Sequence, residues 1–290
     1  MTKDAQPEAE MHNWRLTLAY DGTNFQGWQI QPGFATVQGE LQEALGRITG
    51  ERPLPQGSGR TDAGVHALAQ VASFPLRAPI PATNLERALN RTLPPSIRIT
   101  EARTVGSTFH ARHSAVAKTY EYRILRAPFC PPFLARYVYA CPWALDRNRL
   151  QAAAQVFLGE HDFRSFAASD PDRSEREPNA ARGAHRADAP PRIAPQSTVR
   201  TLFASAWEQR PDAAGELLVY RVRGNGFLHH MVRNLVGTMI EVGRGRLAIE
   251  AVPGILAARV RAAAGPTAPA RGLFLHSVEY SETDGSTQSC

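Results

Sequence analysis

Lysine is almost absent from this chain: only Lys3 and Lys118 stand beside 31 arginines. Arginine stays charged and presents a planar fork of donors matched to phosphate, so the bias points toward an anionic partner. A GC-rich genome that turns Lys codons into Arg codons gives the same bias, and the high Ala and Pro content fits that source. Where the charge sits therefore carries more information than its total. Long apolar runs are absent as well. None approaches about 18 residues, which excludes a membrane-spanning helix. The opening MTKDAQPEAEMHNW has no apolar stretch behind its charges, so no signal peptide is expected. Cysteine is scarce: Cys130, Cys141 and Cys290 are odd in number and lack metal-ligand spacing, so free thiols in a reducing cytoplasm are expected. What remains is ordinary globular material, 43% hydrophobic over 290 residues. That is enough chain for a sizeable core and for two lobes.

The formal charge of +6 is unevenly spread. Residues 1–51 carry a net −4, residues 52–126 a net +7, residues 127–216 balance, residues 217–278 carry +6, and the last twelve carry −3. Codon bias alone spreads Arg without depleting Asp and Glu from the same two blocks. If both blocks face one cleft, they form an electrostatic footprint for nucleic acid.

Periodicity predicts alternating strands and helices. Trp14 to Tyr20 reads as a strand, and Thr36 as the N-cap of a helix with Val37, Leu41, Leu45 and Ile48 on one face. A strand at Gln70–Phe74, a helix at Asn84–Leu93 stopped by Pro94-Pro95, and a strand at Ser96–Ala102 complete the first lobe. Lys118–Leu125 opens the second with Tyr120, Tyr122 and Ile124 alternating. A helix capped by Asp146, strands at Val199–Trp207 and Leu217–Val222, helices at Phe227–Val242 and Ile249–Val260, and a strand at Leu273–Tyr280 follow. Tyr122, Phe157 and Trp207 read as core. Periodicity disappears between Ala167 and Ser197, which reads as a surface insertion. The pattern is α+β.

The densest segment chemically is Gly57-Ser-Gly-Arg60-Thr-Asp62-Ala-Gly-Val-His66. Its glycines let the backbone turn tightly and approach a ligand, and it leads into a strand, so Asp62 sits on a loop at a sheet's rim. Spacing alone leaves open a plain turn in which Asp62 bonds nearby amides. His66, His110 and His113 could be read as metal ligands, but His110 and His113 lie in a loop without a Cys or carboxylate at ligand spacing, and local hydrogen bonding is the favoured reading of all three. His229 and His230, if helical, point about 100° apart and cannot chelate together. Arg223-Gly-Asn225-Gly leads toward a helix N-terminus, a ready place for a phosphate.

GRTDAGVHA resembles the signature of the tRNA pseudouridine synthase A family, whose catalytic aspartate lies within it. Phe109-His-Ala-Arg112-His-Ser-Ala followed by Lys118-Thr-Tyr120-Glu-Tyr-Arg is similar to the family's second motif, with Tyr120 at its active-site tyrosine. Gly226-Phe-Leu-His-His-Met-Val-Arg233-Asn-Leu-Val-Gly237 is similar to the third, with Arg233 at the basic position. Arg271-Gly-Leu273-Phe-Leu is similar to the late motif that sets an apolar residue against the target base, and Tyr20-Asp-Gly-Thr-Asn-Phe-Gln-Gly-Trp-Gln to the N-terminal element. The matches keep the family's order from residue 14 to 280. Two departures stand out: Pro95-Ser96 replaces a commonly acidic position, and the 167–197 insertion replaces a polar turn after His161-Asp-Phe-Arg-Ser-Phe166.

The chemistry suits these residues. Isomerising uridine breaks the N1–C1′ bond, turns the base and rejoins it through C5, so no cofactor and no metal are required. The reaction wants an ionised carboxylate beside the sugar as nucleophile or base. Arg60 and Arg233 are candidates for holding Asp62 ionised, since a nearby cation favours that form. Tyr120 can stack on the extruded base and take part in proton transfer at C5, and Leu273 completes an apolar wall. Arg60 could also fill the space the flipped uridine leaves.

The resemblance thus implies an α+β fold of two pseudo-related lobes, each a mostly antiparallel sheet with helices on one face and the active-site cleft between them. The expected limits are a tail at 1–13, lobes at 14–115 and 116–281 with the insertion inside the second, and a tail at 282–290. It implies isomerisation of uridine to pseudouridine in the anticodon stem-loop of tRNA, at positions 38–40, by a cytoplasmic homodimer that does not bind a membrane. The expected catalytic residues are Asp62, Tyr120, Arg233 and Arg60. Leu273, Arg112, Lys118, His66 and Asn225 are expected to bind substrate. A non-catalytic RNA-binding protein, and a phosphoesterase or glycoside hydrolase using Asp62, are the rivals. The hydrolase would want a second carboxylate or a metal, and no acidic residue of the two basic blocks pairs with Asp62 in a recognisable motif.

Overall fold

The computed structural model describes residues 10–168 and 197–281. Most of the expected insertion, most of the expected tail at 1–13 and all of the expected tail at 282–290, Cys290 included, lie outside the described residues. These residues divide into two compact units. One takes the described residues up to Trp143, Ala204–Asn225 and Pro269 onward; the other takes the described parts of Ala144–Phe203 and Gly226–Ala268.

The first unit is built on a sheet. Strand β1 (His12–Tyr20) buries Trp14, Leu16, Leu18 and Tyr20 and leaves the residues between them more open, the two-residue alternation of a strand with one core face. It pairs antiparallel with β3 (His66–Leu76) and β4 (Ile97–Val105). Helix α1 (Val37–Thr49) starts where expected, because the Thr36 side chain accepts from the Gly39 amide, and it ends on left-handed Gly50. Short β2 (Gln56–Gly57) pairs with β3. Helix α2 (Ala82–Thr92) turns Leu85 and Leu89 inward and packs on β4. Strand β5 (Ala115–Arg126) pairs antiparallel with β9 (Gly215–Gly224), and parallel with the two residues of β6 (Tyr139–Ala140). The last strand, β10 (Leu273–Tyr280), runs antiparallel to β5 but parallel to β3. The order is β4–β1–β3–β10–β5–β9–β8, with β8 spanning Val199–Asp212.

The mostly antiparallel α+β class is as expected. The separation into one sheet on each side of residue 116 is not what the chain does. Strands β3 and β5, from either side of that point, both pair with β10 and so share one sheet. Local periodicity identifies strands but is blind to a partner 200 residues away. Strand β3 also begins at His66, four residues earlier than expected, so the glycine-rich motif runs straight into it.

In the second unit, Asp146 caps α3 (Arg147–Val156) by accepting from the Asn148 and Arg149 amides. Strand β7 (Gly159–Asp162) pairs antiparallel with the first residues of β8. Helix α4 (Met231–Gly243) is buried along nearly its whole length. It begins four residues later than expected because His230 takes a left-handed conformation, φ 59°. The helix expected over Ile249–Val260 is divided into a 3-10 turn at Ile249–Ala251 and α5 (Val252–Ala258), ended by left-handed Arg259. No helix among the described residues is long and apolar enough to cross a membrane.

One buried charge ties the middle of the sheet together. Glu121 on β5 is only 1% exposed. It accepts from Arg123 Nε at 2.7 Å, from its cross-strand partner Arg221 at 3.1 Å, and from Arg210 on β8 at 3.2 Å. Burial pushes its carboxyl up, but the hydrogen bonds from Arg123 and Arg221 and the charges of Arg123 and Arg210 outweigh this, and the net shift is downward. A lowered folded-state value means the stabilisation is complete above the ordinary carboxylate range and is lost as pH falls through the folded value. Replacing Glu121 with Gln removes the counter-charge that three guanidinium groups share, of which Arg210 alone keeps a second carboxylate, Glu208. Urea unfolding followed by circular dichroism should show about 1–3 kcal/mol less stability at pH 7, with the gap to wild type closing as the pH falls below about 4.5.

Candidate active site

The segment from Gly57 to His66 is held in place by side chains rather than by regular secondary structure. At its start, Gln70 on β3 donates from Nε2 to the Gly59 carbonyl at 2.9 Å and accepts from Ser58 Oγ at 2.6 Å. Lys118 Nζ on β5 donates to the Ser58 carbonyl. Ser58 and Gln70 are fully buried, where every polar group needs a partner. In the middle, Thr61 hydrogen-bonds the Tyr20 hydroxyl at 2.8 Å, and its carbonyl accepts from the Trp28 amide at 3.0 Å. The Val65 amide then closes a turn onto the Asp62 carbonyl at 3.1 Å, and Gly64 donates to Phe25.

The turn Asp21–Trp28 lies directly beneath this loop, and two glycines make the approach possible. A Cβ on Gly22 would lie 2.0 Å from the Val65 carbonyl oxygen, and one on Gly27, whose φ is +89°, 2.5 Å from the Thr61 carbonyl. The N-terminal motif therefore builds the floor of the Asp62 loop. That role was readable only as a resemblance; the physical signal was the pair of glycines at 22 and 27 in a segment otherwise rich in aromatic residues.

Asp62 is half-buried and Arg60 exposed on this loop. Tyr120 lies close by on β5: a Cβ on Gly59 would lie 3.8 Å from its hydroxyl. Burial, then Tyr20, then the charge of Asp62 push the Tyr120 hydroxyl far up, so it keeps its proton at neutral pH. Burial likewise raises the Tyr20 hydroxyl, to about 12. Leu273 opens β10 and is the register partner of Tyr122, while Leu275 partners Tyr120. The two leucines and two tyrosines thus share a face. Gly272 lets the chain pass close to Tyr122, since a Cβ there would lie 2.8 Å from that ring. Asp62, Tyr120 and Leu273 are accordingly assembled in the first unit from three separate stretches of sequence.

The other expected residues have different surroundings. Lys118, expected on substrate, donates to the Ser58 carbonyl and so braces the loop from within. His66 is 1% exposed with both ring nitrogens engaged by backbone atoms, which makes it part of the frame. Arg112 is exposed on the turn between β4 and β5, its amide bonded to His110 Nδ1 at 3.1 Å. The local bonding expected of His110 is thus present. Asn225 is exposed just beyond β9; the helix after it starts only at Met231, so the loop is not the helix entry the sequence suggested. His229 and His230 precede α4 instead of lying in it, and their rings stand 4.0 Å apart, so the helical-angle argument against their cooperation does not apply. Arg233, in the second unit, donates from Nε to the Ala268 carbonyl at 2.8 Å. Tyr122 and Phe157 are fully buried, as expected of core residues; Trp207 is half-buried and packs against Tyr220 at 5.2 Å.

This arrangement can be compared with known proteins. The family model described as tRNA pseudouridine synthase matches residues 17–114 and 153–281. A tRNA pseudouridine synthase A from Solibacter usitatus (strain Ellin6076) is 51% identical over 271 residues, covering 93% of this chain and all of that protein. One from Moorella thermoacetica is 44% identical over 268 residues, covering 92% of this chain and 98% of the relative. One from Bordetella petrii is 41% identical over 286 residues, covering 96% and 97%. The matched stretches contain the Asp62 loop, Arg233 and Leu273, and with that coverage the chain belongs to the tRNA pseudouridine synthase family.

Proposed function

We propose that the protein isomerises uridine to pseudouridine in tRNA, with Asp62 as the group that attacks the sugar or takes its proton. The observation that carries this reading is the loop at Asp62. It is pinned at Ser58, Gly59, Thr61 and Gly64 while Asp62 stays half-open beside a buried, protonated tyrosine. A carboxylate on a braced loop loses little further freedom on reaching the transition state. The reaction balances without a partner reagent. The N1–C1′ bond breaks, the base turns, C5 bonds to C1′, the C5 proton leaves and N1 gains a proton.

The remaining roles follow from position and chemistry. Tyr120 presents a ring and a phenolic donor to the turned base, and Leu273 supplies the apolar wall on the same strand face. Arg60, exposed two residues before Asp62, takes the place of the flipped base in the stack. Arg233 keeps its expected catalytic role on its family motif alone. Action at positions 38–40 of the anticodon arm and assembly as a homodimer are part of the same proposal, and rest on the family resemblance.

Two measurements test it. Full-length protein incubated with tRNA carrying tritium at uridine C5 should release tritium, and Asp62→Asn should lower that release about 10³-fold or more. Unchanged release in Asp62→Asn overturns the assignment. Arg60→Ala should slow turnover about tenfold or more while tRNA affinity changes by less than about threefold, because one lost phosphate contact among many costs little binding. An equal loss in both would reduce Arg60 to a backbone contact.

A further inference from the structure

His66 ends the glycine-rich motif, and three other parts of the chain, at Gly22, Arg136 and Phe274, meet at its ring. Its Nδ1 accepts from the Gly22 amide at 3.0 Å, and its Nε2 lies 2.9 Å from the Arg136 carbonyl. An accepting Nδ1 requires the proton to sit on Nε2, so the neutral ring donates to Arg136. One face stacks on Phe274, the second residue of β10, with ring centres 4.7 Å apart. The Tyr137 ring approaches at 5.3 Å. Tyr137 also donates its hydroxyl to Asp21 Oδ2 at 3.0 Å, while Asp21 Oδ1 lies 3.2 Å from His66 Nδ1. Burial lowers the ring's basicity, and this outweighs the opposing pull of Asp21 and of the Arg136 and Arg271 backbone, with the Arg123 charge adding to the lowering. Neutrality and the hydrogen-bond pattern therefore agree.

The segments joined at this ring are those that carry or support the reacting groups. Gly22 belongs to the floor under the Asp62 turn. His66 itself is the first residue of β3, four residues after Asp62. Phe274 follows Leu273, and the register places His66 directly opposite Phe274 in the parallel β3–β10 pair. Gly64 and Ala270 come close enough that a Cβ on Gly64 would lie 3.4 Å from the alanine methyl. Arg136 and Tyr137 close a short turned segment in which Leu134 and Ala135 both bond back to Pro131.

We propose that His66 is a positioning residue for the reaction, a neutral imidazole that locks the Asp62 turn to the first residues of β10 and so fixes the spacing of Asp62 from Leu273. The inference rests on the uridine-isomerising reading and adds to it. A substrate-binding histidine would face the ligand. This one is spent on Gly22, Arg136 and Phe274, and its effect on substrate is transmitted through them. Displacement of a reacting group by about 1 Å can cost roughly 100-fold in rate without changing affinity.

The test uses full-length protein, tRNA tritiated at uridine C5, and three variants. His66→Phe keeps the ring on Phe274 but removes both hydrogen bonds. It should lower kcat about 10- to 100-fold with KM for tRNA within about twofold. His66→Gln restores a donor toward Arg136, His66→Asn an acceptor toward Gly22, and each should recover part of kcat. A raised KM with unchanged kcat would make His66 a substrate contact and overturn the proposal. So would a kcat loss that merely follows the folded fraction measured by circular dichroism, or full kcat in His66→Phe. If His66→Phe does not fold, the same split between kcat and KM is read from the Gln and Asn variants. Wild-type protein that releases no tritium would instead overturn the functional reading, so the two failures are distinguishable.

Discussion

The site depends on a very short stretch of parallel pairing. Strands β3 and β10 are in register at two positions only, His66 with Phe274 and Ala67 with Leu275. Parallel strands start at the same end, so whatever leads into one lies beside whatever leads into the other. Here the Asp62 turn leads into β3, and the 3-10 turn Ala270–Gly272 leads into β10. About 200 residues of chain separate them, yet Asp62 and Leu273 are each within a few residues of the same pairing. β10 then runs antiparallel along β5, which brings Tyr120 onto the face already occupied by Leu273 and Leu275. A sheet with antiparallel neighbours throughout would put the two lead-in segments at opposite ends of their strands.

Around that pairing the loop has little freedom. Its carbonyls and amides are taken by Gln70, Lys118, Trp28 and Phe25, and its underside rests on Gly22 and Gly27, where any larger residue would meet backbone. Such a frame is built before substrate arrives, which is the condition under which a carboxylate needs no reorganisation during reaction. The same burial that makes the frame rigid decides the state of Tyr120. With its hydroxyl raised by burial and by its neighbours Tyr20 and Asp62, the tyrosine is a neutral phenol.

Much of this was legible in the sequence where the signal is local. The Thr36 cap, the alternation of β1, the Asp146 cap and the start of β10 depend on neighbours a few residues away, and all lie where the pattern predicts. The Asp62 motif was legible because its glycines and polar residues are contiguous. The sharing of one sheet by β3, β10 and β5 was not, because strand pairing across 200 residues leaves no periodicity. Helix α4 was extended too far back because apolar spacing continues through Phe227 and Leu228, while the left-handed turn at His230 has no hydrophobic signature. Lys118 was expected on phosphate because it lies in a basic block, and nothing in that block sum signals that its ammonium turns inward to the Ser58 carbonyl.

Pairing within the fold also changes what the charge pattern means. Counting by blocks made residues 52–126 and 217–278 strongly basic, but several of those arginines are paired inside the fold. Arg123 and Arg221 share buried Glu121, Arg126 meets Glu216, and Arg223 meets Glu279 at 2.6 Å. Two of these partners, Glu216 and Glu279, lie outside both blocks, so a block sum cannot register the neutralisation. On β5, Glu121 and Arg123 alternate with Tyr120 and Tyr122 and so lie on the opposite face of the sheet. The face opposite the tyrosines carries Glu121 with Arg123 and Arg221, and Arg223 with Glu279, whereas Arg126 and its partner Glu216 lie on the tyrosine face at the end of the β5–β9 pair. Much of the arginine in these two blocks is therefore spent on cross-strand fastening, at Glu121, Glu216 and Glu279, and a sum taken along the sequence overstates the charge that is left to offer a partner.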